Sequence, residues 1–212
     1  GYDKVNNVTG IYERKPLRSL LRALEQMRHA DGSELGRRIV HIGDQSSSVK
    51  IDASEIDSFD WAPFRIIGSQ LVNTFDQWKQ AVRQTKGKAD VILISNYRNL
   101  YEVDGKPTLV APSTVMQWTE SNSPVPVVGT GGFVVEDGGM FAVGASGFEQ
   151  GENSARMAIE VLDRGAIPKD LPQVMPQHFL VYIRRPLMSK RDITLPPLYE
   201  AFARALDNYY DQ

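Results

Sequence analysis

Residues Arg38 to Ser48 read RIVHIGDQSSS. Arg38–Gly43 is an apolar run of strand length, and it stops in the polar run Asp44-Gln45-Ser46-Ser47-Ser48. Ala89–Ser95 (ADVILIS) repeats the form and gives way to Asn96-Tyr97-Arg98. Val125–Gly129 repeats it again and ends in Gly129-Thr130-Gly131-Gly132. A strand that is apolar at nearly every position, rather than at every second one, has both of its faces covered. Helix-covered parallel sheets require this.

Working outward, amphipathic stretches separate these strands. Pro16–Ala30 carries Leu17, Leu20, Leu21, Leu24 and Met27, the stripe of a core-facing helix, with Pro16 in its first turn and Asp31-Gly32 as its stop. Val49–Phe59 predicts a weaker helix, and Phe64–Val72 a second strand. Asn73/Thr74 with Gln77 resembles a capping box and opens a helix to about Thr85. Ser113–Thr119 predicts a short helix. Phe133–Val135 and Met140–Gly144 read as β runs about a hairpin-like turn at Glu136–Gly139. Glu152–Arg164 is a helix stopped by Gly165, Phe179–Ile183 a late strand, and Pro196-Pro197 starts a last helix with Leu198, Phe202 and Leu206 on one stripe. This alternation predicts an α/β fold: an open, mostly parallel sheet with helices on both faces.

Composition removes several function classes. The 212 residues carry 24 Lys+Arg against 26 Asp+Glu, a formal charge of −2 without the basic excess of non-specific nucleic-acid binders. There are no cysteines, which excludes disulfides, thiolate metal sites and a cysteine nucleophile. His29, His41 and His178 are far apart and form no HExxH-like pair, so no metal site is expected. No apolar run reaches bilayer-spanning length, and Gly1 begins no signal-peptide pattern.

The motifs with a known mechanism fall short. Gly129–Gly132 lacks the third glycine of a dinucleotide fingerprint, and no P-loop Lys-Ser/Thr pair follows it, so no cofactor is expected. Gly144-Ala145-Ser146-Gly147-Phe148 lacks the last glycine of a nucleophile elbow. No catalytic residue is assigned. In open α/β sheets ligands bind beyond the carboxyl ends of the strands. There this chain places hydroxyls, amides, glycine backbone, an aromatic and an arginine, a rim able to hydrogen-bond a small polar ligand. Ser46–Ser48 fit either that role or a helix cap, and Tyr97 and Arg98 fit either a ligand or a surface loop.

The order of segments resembles a known family. Asn7-Val8-Thr9-Gly10-Ile11 before the leucine-striped helix is similar to the "NVTG-[VI]" entry to the second lobe of ABC-transporter substrate-binding proteins of periplasmic binding protein type 1 fold. Arg38–Ser48 resembles that family's "RIGVLYNPSEANS", and Asp90–Asn96 its "DAIYVPTDN". Pro126–Ser146 and Gly151–Gly165 resemble its "GALAALGVDYYELGRQAAKMAAKILKG" stretch, and Ile167–Pro196 its closing segment. Arg184 or Arg185 stands where the family has a late-strand Asn, and Asp192 where it has a Gly.

The resemblance implies a C-terminal-lobe α/β domain over 1–150, a return helix and connector over 151–178, and a final strand and helix over 179–212. It implies an N-terminal lobe ahead of the NVTG-like segment, against which the return helix packs. Without that lobe the helix stripe is exposed or covered by a second copy in a homodimer. The implied function is non-enzymatic: an extracytoplasmic or periplasmic component of an ABC importer. It would bind an amino acid, aromatic or otherwise, or a similar small polar solute in an interlobe cleft and present it to an ABC permease. The expected ligand-binding residues are Gln45, Ser46, Ser47, Ser48, Asn96, Tyr97, Thr130 and Gly131. The alternatives are a sensor domain that reports to a membrane signalling partner and, from a different class, a small α/β hydrolase.

Overall fold

The computed structural model describes residues 6–212. Its strands are β1 (Arg28–His29), β2 (Arg38–Asp44), β3 (Arg65–Val72), β4 (Val91–Ile94), β5 (Val127–Gly129), β6 (Phe141–Ala145), β7 (Phe179–Arg184), β8 (Ile193–Thr194) and β9 (Tyr209–Tyr210). Seven of them form one sheet in the order β3-β2-β4-β5-β6-β7-β9, while β1 and β8 pair separately. From β3 to β6 every pairing is parallel, β7 returns antiparallel to β6, and β9 lies parallel to β7. The helices are α1 (Leu17–Gln26), α2 (Ser47–Ser58), α3 (Phe75–Arg83), α4 (Pro112–Asn122), α5 (Phe133–Glu136), α6 (Gly147–Leu162), α7 (Arg185–Lys190) and α8 (Pro197–Ala205).

Each central strand feeds two cores. Ile39, Val91, Leu93, Val128, Phe141 and Val143 face the leucines of α1 and Ile56 of α2. Val40, Ile42, Ile92, Ile94, Val127 and Ala142 face Trp78 and Val82 of α3 and Val115 and Met116 of α4. Alternate residues of one strand thus enter opposite cores, which is why consecutive positions of the central strands are apolar. Burying each of the Val, Leu, Ile and Phe side chains among them contributes roughly 1.5–3 kcal/mol. Helix α3 begins with the capping box expected of Thr74 and Gln77, each side chain accepting from the other's backbone N–H. Between β2 and β3 the register slips, so that Ile39 pairs with Ile66 but Val40 with Gly68, leaving Ile67 bulged. Gly68 carries the positive φ of 149° that this bulge requires.

Three expectations are corrected. Phe133–Glu136 is a short helix and not a β run, and no hairpin joins it to β6, because β6 lies parallel to β5 and a crossover must connect them. Helix α1 ends at Gln26. Met27 is extended, Arg28–His29 pairs with β8, and Asp31-Gly32 turns that short strand rather than ending the helix. Helix α4 is longer than the expected Ser113–Thr119, running from Pro112 to Asn122. The Leu198, Phe202 and Leu206 stripe of α8 is exposed. Its Leu198 and Phe202, with Phe179, Val181, Tyr199, Ser19 and Arg22, line a groove of about 350 Å³. No side chain of α6 is buried, and its Phe148 and Leu162 are 82% and 80% exposed.

A buried ion pair fastens the late elements to the sheet. Arg191 Nε and Nη2 reach Glu120 Oε2 at 2.9 and 2.8 Å, and Nη1 donates to the Val125 carbonyl at 2.9 Å. Glu120 Oε1 accepts from the Met140 N–H at 2.8 Å. Burial raises the Glu120 carboxyl above its ordinary range, opposed by Arg191. Arg191→Ala leaves this carboxylate buried and unpaired, so near neutral pH it is expected to cost about 3–5 kcal/mol in urea unfolding. The folded variant takes up a proton on Glu120 before the unfolded chain does. The deficit therefore shrinks in mildly acidic buffer, and a deficit constant with pH would contradict this assignment.

Candidate functional site

The chain leaves β2 for β3 on one side and reaches β4 on the other, so the strand order reverses at β2. The crevice between the carboxyl ends of β2 and β4 is the topological switch point, where open α/β sheets hold ligands. Two loops border it, Gln45–Ser48 running into α2 and Ser95–Asn99 after β4.

Asp44 joins these loops. Its side chain is fully buried. Oδ1 accepts the Ser46 N–H at 2.9 Å, and Oδ2 accepts the backbone and side-chain N–H groups of Asn99 at 3.1 and 3.3 Å. The Asp44 N–H donates to the Asn96 carbonyl at 3.0 Å. Asn96 Oδ1 in turn accepts the N–H groups of Tyr97 and Arg98 at 2.8 and 3.1 Å. A buried carboxylate is tolerated here because N–H donors meet both of its oxygens.

Of the residues expected at the site, Gln45, Ser46, Ser47, Ser48 and Asn96 come together at the crevice. Gln45, Ser47 and Ser48 are exposed. Gln45 Nε2 donates to the Leu71 carbonyl at 3.2 Å, and the Ser46 and Ser48 hydroxyls lie 3.3 Å apart. Ser46 occupies the N-cap of α2, yet its hydroxyl bonds no helix N–H; Asp44 meets that end of the chain instead. The other three expected residues play different parts. Tyr97 is fully buried and offers no surface for stacking on a ligand. Its ring packs between Trp78 and Phe133, and its hydroxyl donates to Asp137 Oδ2 at 2.7 Å. Burial, then this carboxylate, raises the phenol's pKa. Thr130 is buried with its hydroxyl directed at the Ile94 carbonyl, 3.4 Å away. Gly131 is glycine because the Phe133 ring lies against it: a Cβ would sit 2.5 Å from that ring.

The residues not foreseen are Asp44 and Asn99. The Asp-x-Ser spacing before α2 is an Asx-turn signal for the first. No local signal marks Asn99, whose partner lies 55 positions away.

Beneath the crevice His41 bridges two strands. Its Nδ1 lies 2.9 Å from Ser69 Oγ and its Nε2 2.8 Å from Ser95 Oγ, while the Ser69 hydroxyl donates to Asp57 Oδ1 at 2.7 Å. With the Ser69 proton directed at Asp57, Nδ1 carries the imidazole proton and Nε2 accepts from Ser95. The Ser95–His41 pair departs from a hydrolase relay in two ways: Ser69 stands between His41 and the Asp57 carboxylate, and Ser95 is fully enclosed and presents no nucleophile to solvent. Among the described residues, no cluster of His, Asp and Glu is placed to hold a metal ion, and no helix is long and apolar enough to cross a membrane.

Burial lowers the His41 pKa from 6.5 to about 4. The unfolded chain therefore binds this proton at higher pH than the folded one, and stability falls as pH drops through that window. The loss is roughly 3 kcal/mol at most. His41→Gln is expected to be less stable near neutral pH yet to show a flatter acid limb in urea titrations; an unchanged acid limb would contradict this assignment.

Comparison with known proteins agrees with this architecture. A family model described as ABC transporter substrate binding protein, a family of solute-binding proteins and not of enzymes, matches residues 68–203, more than half of the chain. No curated protein sequence matches. Among solved structures, the chain is similar to a conserved domain protein from Vibrio cholerae O1 biovar El Tor, at 14% identity and TM-score 0.60 over 92% of this chain. It is similar to an ABC domain in complex with L-Trp from Streptococcus pneumonia, at 16% identity and TM-score 0.62 over 92% of this chain. A third is a substrate binding protein with adhesive properties from Clostridium difficile in its ligand-free, open structure, at 16% identity and TM-score 0.56 over 85% of this chain. The chain spans 61%, 63% and 55% of their respective lengths. At these identities the likeness is one of fold.

Proposed function

Because the chain belongs to the ABC transporter substrate binding protein family, we propose that it is the extracytoplasmic solute-binding component of an ABC importer and binds a small polar solute, an amino acid or a close relative of one. The crevice beyond β2 and β4 forms one wall of the solute cleft, and a second lobe forms the other. The observation that carries this reading is the Asp44 network, which fixes two polar loops across the switch point and leaves Gln45, Ser47 and Ser48 exposed there. The L-Trp named for one neighbour of this fold is in keeping with an amino-acid solute.

The second lobe accounts for α6. A sixteen-residue helix with no fully buried side chain lacks the burial that stabilises helices in water. The longer neighbours have chain enough for a further body to cover it. In this reading residues 1–150 belong to the first lobe, 151–178 pack on the second, and 179–212 return to the first. Solute contacts made only in the closed arrangement shift the pair of lobes toward closure, which presents a new surface to an ABC permease.

The test uses the polypeptide that carries both lobes, screened by thermal shift against L-tryptophan, other amino acids, sugars, short peptides and nucleotides. A solute at a hundred times its Kd adds about 2.7 kcal/mol, a shift of several degrees. Calorimetry on Asp44→Ala, held well below its melting temperature, is expected to weaken that solute by about tenfold or more. An unshifted melting temperature with every solute, or an Asp44→Ala variant that binds as the wild type does, would contradict the proposal.

A further inference from the structure

We propose that Arg98 is the residue that recognises charge in this cleft, and that the solute carries a carboxylate which the Arg98 guanidinium receives at the β4 side of the crevice. The inference rests on the reading of the crevice as one wall of a solute cleft and names the chemistry of what lies in it.

Arg98 belongs to the loop that Asp44 fixes, three residues after Ser95 and one before Asn99. Its backbone N–H is held by Asn96 Oδ1, which sets the direction in which the side chain leaves the loop. The guanidinium carbon lies 4.8 Å from the centroid of the Phe133 ring, at the start of α5 and just beyond β5. The charge therefore sits at the carboxyl ends of β4 and β5, on the same end of the sheet as Gln45–Ser48.

How the guanidinium is held distinguishes a receptor from a loop fastening. It makes one hydrogen bond, from Nη2 to Asp137 Oδ2 at 2.9 Å, and that same oxygen already accepts the Tyr97 hydroxyl. The pairing is through one nitrogen and one oxygen, although a guanidinium carries five N–H donors and pairs with carboxylates through two of them at once. Among the described residues its other donors make no hydrogen bond. The side chain is 45% exposed, whereas that of Asp137 is 17%. A surface pair of this kind contributes little to stability. The Phe133 face and the single Asp137 oxygen hold the guanidinium in one orientation, within the field of Glu136 as well, and its exposed edge keeps further donors open to an anion. Buried Tyr97 acts here as a positioning residue, holding Asp137 and the Phe133 ring in place.

The experiment is calorimetry on the two-lobed polypeptide with matched probes: L-tryptophan and other L-amino acids, each beside its C-terminal amide, with uncharged sugars as a third set. Wild type is expected to bind an acid about tenfold or more tighter than its amide. Arg98→Gln is expected to remove that preference, so that acid and amide bind alike, and Arg98→Lys to retain part of it as a point charge. Thermal unfolding of both variants in the absence of probe checks that they fold. Equal binding of acid and amide by the wild type, or unchanged acid binding by Arg98→Gln, would overturn the role of Arg98 and leave the solute-binding reading standing; binding of sugars alone would overturn both that role and the amino-acid solute. Failure of the wild type to bind any probe would overturn both.

Discussion

The carboxylate of Asp44 sets the geometry on which the rest of the rim depends. It lies at the end of the central strand, fully buried, where an ionised group survives only if its oxygens are met by donors. Those donors come from both sides of the switch point, Ser46 from the loop entering α2 and Asn99 from the loop leaving β4. Two loops that the parallel topology sends in opposite directions are thereby held at fixed separation. The exposed side chains of Gln45, Ser47 and Ser48 inherit their positions from that constraint, and Asn96 passes it on to the backbone of Arg98.

The central strands β4 and β5 beneath the rim are buried on both faces. A polar bridge runs through the sheet where an apolar residue would ordinarily sit, from Asp57 through Ser69 and His41 to Ser95, tying β3 to β4 under the crevice. The bulge at Ile67 precedes the register in which His41 pairs with Ser69. On the far side of the sheet, Glu120 and Arg191 hold α7 to α4, so the elements that return late in the chain are fixed to those laid down early. Helix α6 stands apart from all of this. It is anchored at its start, where Ser146 caps it and Glu149 receives the N–H groups of Gln177 and His178, and none of its side chains is fully buried.

The parts of this architecture legible in the sequence are those fixed by local rules. RIVHIG and ADVILIS read as buried strands because their apolar residues run consecutively rather than alternately, and Thr74 with Gln77 reads as a helix start because the capping box closes within four residues. The errors arise where a distant partner overrules the local pattern. Phe133-Val134-Val135 has the β-branched character of a strand, but a parallel β6 demands a crossover, and Val134 and Val135 earn their burial as a helix turn. Tyr97 in a rim loop looks like a ligand contact until its hydroxyl finds Asp137, 40 positions later. The polar character of the rim was visible; which of its side chains turn inward was set by residues far along the chain.

The central claim is that solute binds at the crevice fixed by Asp44. It is tested most directly by a crystal structure of the two-lobed polypeptide grown with the solute that stabilises it. The account predicts solute density beyond the carboxyl ends of β2 and β4, against Gln45–Ser48 and Asn96–Asn99. Density in the groove between α1 and α8, with none at the crevice, would contradict it.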